Sequence, residues 1–335
     1  MYRHIFLGIL VATMAIGIWR AQGARDLEPA LDDPVESLIY KKMFAAAEIQ
    51  RIIATFSWYQ LTPEELDEVY TCMLERPFQR MSATKETMKK LKDEDGVKSC
   101  FRRDTFSWYL SPTRAAAFFQ NDVAPIEVRA AAPRIGYLKI TRWSHVISIA
   151  TDTGPLYSDI FMDADLKPAL VIFAEKGIDA LIVDIRGNPG GSVENAIRFL
   201  KFFAPWKDMP MMTIRSPEKT EELATTAAGP YASWKVVFLI DRDSASASEI
   251  VAGIGQWWGM PVIGQPSYGK DLIQQVFRLS DGGFFQLTVS RFVLPHGESL
   301  EGKGIIPDIP VKGDALRAAL RFLQKEQKMD KARKR

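Results

Sequence analysis

Ala180-Leu-Ile-Val-Asp-Ile-Arg186-Gly-Asn-Pro-Gly-Gly191 is the stretch on which the fold turns. It opens on an unbroken apolar run, as expected of a strand buried on both faces in a parallel sheet. Gly187 to Gly191 then forms a turn of residues that accept unusual backbone angles. A helical pattern follows through Phe203. Strand, glycine turn and helix are the repeating parts of an α/β layered core.

The same texture extends on both sides. Upstream, Gly136–Ile140 reads as a short strand and Ser158–Lys176 as an amphipathic helix. Downstream, Met211–Ile214, Val236–Ile240 and Val262–Ile263 are strand candidates, and Asp241–Trp258 is a second strand-to-helix junction. Ile273–Leu279 and Phe284–Leu294 flank Gly282-Gly283 as a hairpin. Asp314 is placed to cap a last helix whose Leu316, Ala319, Leu320 and Leu323 share one face. From Pro34 to Gln120 the pattern is instead helical, with Met43, Ala46, Ile49, Ile52 and Ile53 at helical spacing. There, Thr62-Pro-Glu-Glu65 carries a capping box. The expected divisions are residues 1–23, a mainly helical region over 24–133, an α/β core over 134–312 and a basic helix or tail over 313–335.

Composition narrows the chemistry. The chain has 335 residues, enough for a large core without staples. Lys plus Arg number 43 against 41 Asp plus Glu, a balance that argues against a broad nucleic-acid-binding surface. With only 3 His and 2 Cys, no His/Cys-rich metal site is expected, and the reading requires no metal or other cofactor. Charge is nevertheless uneven: residues 321–335 hold seven bases and two acids, a tail suited to an anionic lipid or nucleic acid, or to a solvated helix end.

The N-terminus reads as an address. Arg3 precedes the uncharged apolar run of residues 5–19, which is short for a bilayer span of about 20 residues but suits a signal peptide. Ala21-Gln-Gly23 offers a small-x-small cleavage site; the alternative is an uncleaved anchor in the inner membrane. Either way the body is expected outside the cytoplasm, periplasmic or secreted. In an oxidising compartment Cys72 and Cys100 can pair as a disulfide.

Two turns at strand ends can carry chemistry, because open α/β sheets place their ligands there. The Gly187–Gly191 turn fits neither the dinucleotide fingerprint nor the P-loop. It is a bare turn, a phosphate cradle or half of an oxyanion hole. The second turn, Asp243-Ser-Ala-Ser-Ala-Ser-Glu249, precedes a helix. A serine there is either an N-cap or a nucleophile stabilised by the helix N-terminus. A nucleophile needs a base. The candidates are His145, His296 and Lys270, and burial can lower a lysine's pKa far enough for it to serve.

Four motifs occur in order: Leu181-Ile-Val-Asp-Ile-Arg-Gly-Asn-Pro-Gly-Gly191, Ser244-Ala-Ser-Ala-Ser-Glu-Ile250, Tyr268-Gly-Lys270 and Glu301-Gly-Lys-Gly-Ile-Ile-Pro-Asp-Ile309. Together, over about 134–311, they resemble the carboxyl-terminal processing, or tail-specific, serine proteases. The resemblance implies a crotonase-like α/β core with a serine–lysine dyad: Ser246 as nucleophile, Lys270 as general base and Gln274 orienting that base. It also implies an oxyanion hole from the backbone of Ala247 and Gly190, with Gly191 as the substitute. Asp104–Pro112 resembles the segment that precedes the family's peptide-binding PDZ domain, yet too few residues lie between Pro112 and Arg134 to hold one. The Ser246–Lys270 interval is one residue shorter than is common in the family, and Trp257 stands where many members carry an acid. The expected function is an exported serine endopeptidase acting on proteins or peptides, with no nucleic-acid partner. Its helical N-terminal region would shape the groove or mediate homo-oligomerisation. The alternative is a non-catalytic peptide- or ligand-binding or scaffold protein on the same fold.

Overall fold

In the six-stranded sheet at the centre of the fold, alternate side chains face two different helical layers. The computed structural model describes residues 48–49, 51–55, 57, 59–66, 108–110, 126–143, 147–151, 154–158, 166–279, 284–297 and 299–333. The expected signal or anchor, Cys72, Cys100, His145 and most of 104–112 lie outside those residues.

The named strands of the chain, in order, are β1 (Trp108–Leu110), β2 (Ile126–Ala132), β3 (Ile135–Ile140), β4 (Ile147–Thr151), β5 (Gly154–Ser158), β6 (Ala180–Asp184), β7 (Pro210–Arg215), β8 (Thr220–Ala224), β9 (Lys235–Ile240), β10 (Val262–Gly264), β11 (Leu272–Arg278), β12 (Phe284–Val293) and β13 (Ile309–Pro310). The named helices are α1 (Lys167–Glu175), α2 (Val193–Lys201), α3 (Ala247–Trp257) and α4 (Ala315–Arg333).

The central sheet runs β13-β10-β9-β6-β3-β2, parallel throughout except for β2, which pairs antiparallel with β3 at the edge. Leu138, Leu181, Val183, Phe238 and Val262 face α1, α2 and α3, while Tyr137, Ile182, Val237, Leu239 and Ile263 face α4. All five residues of β6 are buried, as its apolar run requires. Ala315, Ala319 and Leu323 seat α4 on the sheet, and Asp314 Oδ1 accepts the Arg317 N–H at 2.9 Å as its N-cap. Such seating is worth roughly 2 kcal/mol for a fully buried leucine.

The expected helix over 158–176 is shorter than its amphipathic pattern. Gly154–Ser158 forms β5, paired with β4, and α1 begins only at Lys167. Pro168 has no N–H and is tolerated only in a first turn, so it fixes the start of α1.

A second sheet is antiparallel. Its spine, β12, pairs with β11 along one side; along the other, β1 lies beside its start and β7 beside its end, with β8 beyond β7. The expected antiparallel pairing of β11 with β12 is therefore present, while Gly282-Gly283 lie outside the described residues. Helical residues 51–55 and 63–66 lie in the N-terminal region, where Thr62 and Glu65 complete the capping box at 2.9 and 3.2 Å. Ile49 and Ile53 pack on Phe277, Leu279, Phe285 and Leu287 of the second sheet. No helix among the described residues is long and apolar enough to cross a membrane.

Candidate active site

The two turns singled out in the sequence meet beyond the carboxyl ends of β6 and β9. Ser244 and Ser248 are completely buried and their hydroxyls are used inside the protein. Ser244 Oγ donates to the Ile185 carbonyl at 2.9 Å; Ser248 Oγ donates to the Asn188 carbonyl and accepts from Trp143 Nε1, both at 3.1 Å. Each hydroxyl laces one turn to the other. Ser246 lies between them on the opposite side of the turn and keeps 8% of its surface exposed.

Ser246 adopts φ 56° and ψ −116°, the first central position of a type II′ turn. Ser248 N–H closes that turn on the Ala245 carbonyl at 3.1 Å. Glycine usually fills this position; a serine there stores strain on the order of 1–3 kcal/mol, a feature concentrated at functional sites. Ala247 opens α3 directly afterward, so its N–H has no intrahelical acceptor.

Glu249 holds the strained turn in place. The side chain is fully buried two residues into α3, and its four acceptor sites reach both halves of the site. Oε2 accepts the N–H groups of Ser246 and Lys270, each at 2.8 Å. Oε1 accepts the Gly269 N–H and the Ser267 hydroxyl, each at 2.6 Å. Two backbone nitrogens, 24 positions apart in sequence, thus share one oxygen atom. Burial pushes the Glu249 carboxyl above its ordinary value, with the four hydrogen bonds pulling the other way.

The loop that carries Lys270 is braced from behind. Tyr268 N–H donates to the Ser244 carbonyl at 3.0 Å, and Ser267 Oγ accepts the Ile305 N–H at 2.6 Å. Residues 301–306 of the fourth motif therefore support the Lys270 loop. Lys270 is partly buried, and its Nζ donates to Gln274 Oε1 at 2.6 Å. Gln274 Nε2 donates in turn to the buried Thr288 Oγ1 at 3.1 Å. The β11–β12 register shifts between Ile273 and Gln274, a bulge of the kind that re-aims a side chain at a site. Gln274 and Thr288 then face each other across the ladder, on the side opposite Phe277 and Leu287.

The glycine turn completes the wall. Gly190 has φ +107°, and a Cβ there would lie 2.8 Å from both Ser246 Cβ and the Ala245 carbonyl. Gly191 has φ +140°, and its Cβ would fall on the Trp143 carbonyl. Asn188 organises this wall: Oδ1 accepts the Gly190 N–H at 2.9 Å and Nδ2 donates to the Ile140 carbonyl at 3.0 Å. Among the described residues, no protein acceptor takes the N–H of Gly191 or of Ala247. Behind the turn, Asp184 is fully buried and binds Arg186 through both oxygens, at 2.8 and 2.6 Å. Burial raises the Asp184 carboxyl, but the Arg186 pairing and the Tyr137 hydroxyl carry it below its ordinary value. Desolvation and Asp184 together raise the Tyr137 hydroxyl.

The structure therefore brings the Gly190 turn against Ser246 and Ala247, ties the Ser246 and Lys270 backbones to one carboxylate, and places Gln274 on the Lys270 headgroup. It leaves His296 exposed in the turn after β12. A cavity of about 240 Å³ lies elsewhere, at the far end of α3, lined by Gln256, Met260, Asp308 and Phe322 among others. Sequence reading did not single out the roles of Glu249, Trp143, Asn188 or Thr288. The spacing Ser246-x-x-Glu249 is a capping-box signal that could have found Glu249; Trp143 and Thr288 act through tertiary contacts that no local pattern announces.

Comparisons with known proteins identify the family. The model of "Peptidase family S41" matches residues 134–311. The carboxy-terminal processing protease CtpB of Bacillus subtilis is 36% identical over 151 residues, 44% of this chain and 31% of that one. The carboxyl-terminal-processing protease of Synechocystis is 33% identical over 145 residues, 43% of this chain and 34% of that one. The matched stretch thus spans about a third of the length of these relatives. Among solved structures, a photosystem II D1 C-terminal processing protease superposes with a TM-score of 0.53 at 15% identity, over 81% of this chain and 93% of its own. A lipoprotein from Streptococcus agalactiae reaches 0.62 at 16% identity, over 89% and 99%; at these identities both show the fold alone. With the family model covering more than half of its length, this chain belongs to peptidase family S41.

Proposed function

We propose that this protein is an exported serine endopeptidase that hydrolyses peptide bonds of protein substrates through a Ser246–Lys270 dyad. The observation that carries the reading is the shared Glu249 carboxylate, which ties the strained Ser246 turn to the Lys270 backbone by 2.8 Å bonds. Burial of Ser244 and Ser248, with their hydroxyls already used, supports Ser246 as the nucleophile. Family membership and the protease relatives support the reaction class.

In this mechanism Ser246 Oγ attacks the scissile carbonyl carbon while neutral Lys270 Nζ takes the hydroxyl proton. Charge on the tetrahedral oxygen meets the Ala247 N–H and the glycine turn. Gly190's N–H is held by Asn188, which favours Gly191 as the second donor. The C–N bond breaks as the Lys270 ammonium protonates the leaving amine. Water then attacks the acyl-enzyme ester, lysine takes its proton, and that proton returns to Ser246 Oγ. Gln274 Oε1 restrains the lysine headgroup through the cycle, and Thr288 restrains the glutamine. Export rests on the N-terminal sequence, and the tail-specific choice of substrate on the resemblance.

Turnover of casein or an unstructured peptide tests the dyad. Ser246→Ala and Lys270→Ala are expected to lower kcat by at least about 10³-fold with the fold intact. Equal turnover by wild type and both variants would remove the assignment. A fluorophosphonate label on Ser244 or Ser248 would move the nucleophile, and no turnover or labelling by wild type would favour the binding-protein alternative.

A further inference from the structure

α4 sorts its charges by face. Arg317, Arg321, Lys325, Lys328 and Lys331 are exposed, and at about 100° per residue they fall within an arc of about 120°. That arc lies opposite Ala315, Ala319 and Leu323, which face the sheet. The acids of the helix, Glu326 and Asp330, lie on the sheet side, where their carboxylates bind Lys235 of β9 at 3.0 and 2.6 Å. None of the five bases has an ion-pair partner among the described residues. The outcome is a stripe of cations roughly 21 Å long at about 1.5 Å per residue, with no acid along it.

We propose that this stripe docks the protein on an anionic lipid surface. The arc of five bases lies on the convex face of a single helix and carries no aromatic anchor of the kind a tight protein interface requires. Phe322, the aromatic residue within the stripe's span, packs toward the sheet, so stacking on bases is not provided for. Dispersed lysines and arginines do suit a charged bilayer, where each acts through the surface potential without a fitted pocket. The apolar run at residues 5–19 is a second reason for a bilayer, because it brings the chain to one. The geometry is compatible with catalysis. α4 covers one face of the central sheet, whereas Ser246 caps α3 on the other, so docking through α4 leaves the serine open.

The test is flotation of the full chain with vesicles of phosphatidylcholine alone or mixed 3:1 with phosphatidylglycerol. Wild type is expected to partition about tenfold more strongly onto the anionic vesicles, and 0.5 M NaCl should abolish the difference because it shortens electrostatic reach. The variant Arg317→Gln/Arg321→Gln/Lys325→Gln/Lys328→Gln should lose that increment while keeping both its binding to neutral vesicles and its peptide turnover. Equal partitioning of wild type onto both vesicles, or an undiminished increment in the variant, would overturn the proposal. Tighter binding to duplex DNA or to polyglutamate than to anionic vesicles would also overturn it, in favour of a nucleic acid or an acidic protein.

Discussion

The Ser246 turn and the Lys270 loop meet at one carboxylate, but they are held by different kinds of structure. Ser246 sits between a parallel strand and a helix buried from Ala247 to Gly255, in a turn whose flanking hydroxyls are bonded and whose Ser246 N–H is held by Glu249. Lys270 sits at the entry to an antiparallel strand that pairs with β12 along one side. Its headgroup is positioned by a chain of two side chains, Gln274 and Thr288. Ser246 is therefore fixed by short-range geometry, whereas the Lys270 headgroup depends on a relay that crosses a bulge. Disturbing the carboxylate should damage both halves, disturbing the glycine wall should damage the nucleophile's side, and disturbing the relay should damage the base alone.

Glu249→Gln is expected to have the largest effect, because an amide NH2 replaces one oxygen that now receives two donors. Leaving buried donors unsatisfied costs about 1–3 kcal/mol each. The expectation is a fall in kcat of at least about 10²-fold and a Tm lower by several degrees. Changed pH dependence would separate positioning from simple loss of stability. Burial raises the Glu249 pKa above the ordinary 4.5, so between those two values the folded protein holds a proton that the unfolded chain has released. This group's contribution to stability is thus fully present at lower pH and declines as pH rises through the raised value. Its four-fold acceptor role, by contrast, needs the ionised form. Wild-type activity should rise with pH through two ionisations, that of the Glu249 carboxyl above 4.5 and that of the lysine, and Glu249→Gln should keep only the lysine's; two ionisations in both proteins would deny Glu249 its role.

Gly190→Ala comes next. The added Cβ would meet the Ala245 carbonyl and Ser246 Cβ at 2.8 Å, in a backbone conformation that L-residues avoid. Gly177→Ala is the control, since Gly177 has φ +68° with nothing within 4 Å of its Cβ. The control should cost about 1 kcal/mol through backbone strain alone and leave turnover unchanged. Gly190→Ala should cost more than that and lower kcat about 10²-fold. Similar effects of the two substitutions on Tm and turnover would mean that the wall yields.

Much of this was legible in the sequence, for reasons that differ by region. The apolar run at Ala180–Val183 announces β6, because a strand buried on both faces has nothing else to be. Ser246, Lys270 and the glycine pair could be put forward as candidates because each lies inside one of four ordered motifs. Trp143 could not, since its Nε1 contact with Ser248 spans 105 positions and depends on sheet order. Likewise β8, Thr220–Ala224, has a polar, charged sequence and becomes a strand only because β7 supplies a partner. The helix expected from Ser158 shows the reverse error. Apolar periodicity continued past the point where Pro168 allows a helix to begin.

The smallest effect belongs to the relay, and it distinguishes a base that is aimed from one that is merely nearby. Gln274→Ala removes the acceptor 2.6 Å from Lys270 Nζ and leaves the Ser246 turn and Glu249 untouched. Because a flexible amine can still sample the reactive position, kcat should fall only about tenfold, with KM little changed. Thr288→Val removes the hydroxyl that accepts from Gln274 Nε2 at 3.1 Å while keeping a similar volume, and should cost less, about two- to threefold. The pair should be non-additive: once Gln274 is gone, Thr288 has nothing to position, so the double variant should match Gln274→Ala alone. Multiplicative losses would show that Thr288 acts on the site by another route, and a shift of the lysine's rising limb in both single variants would trace the effect to the lysine.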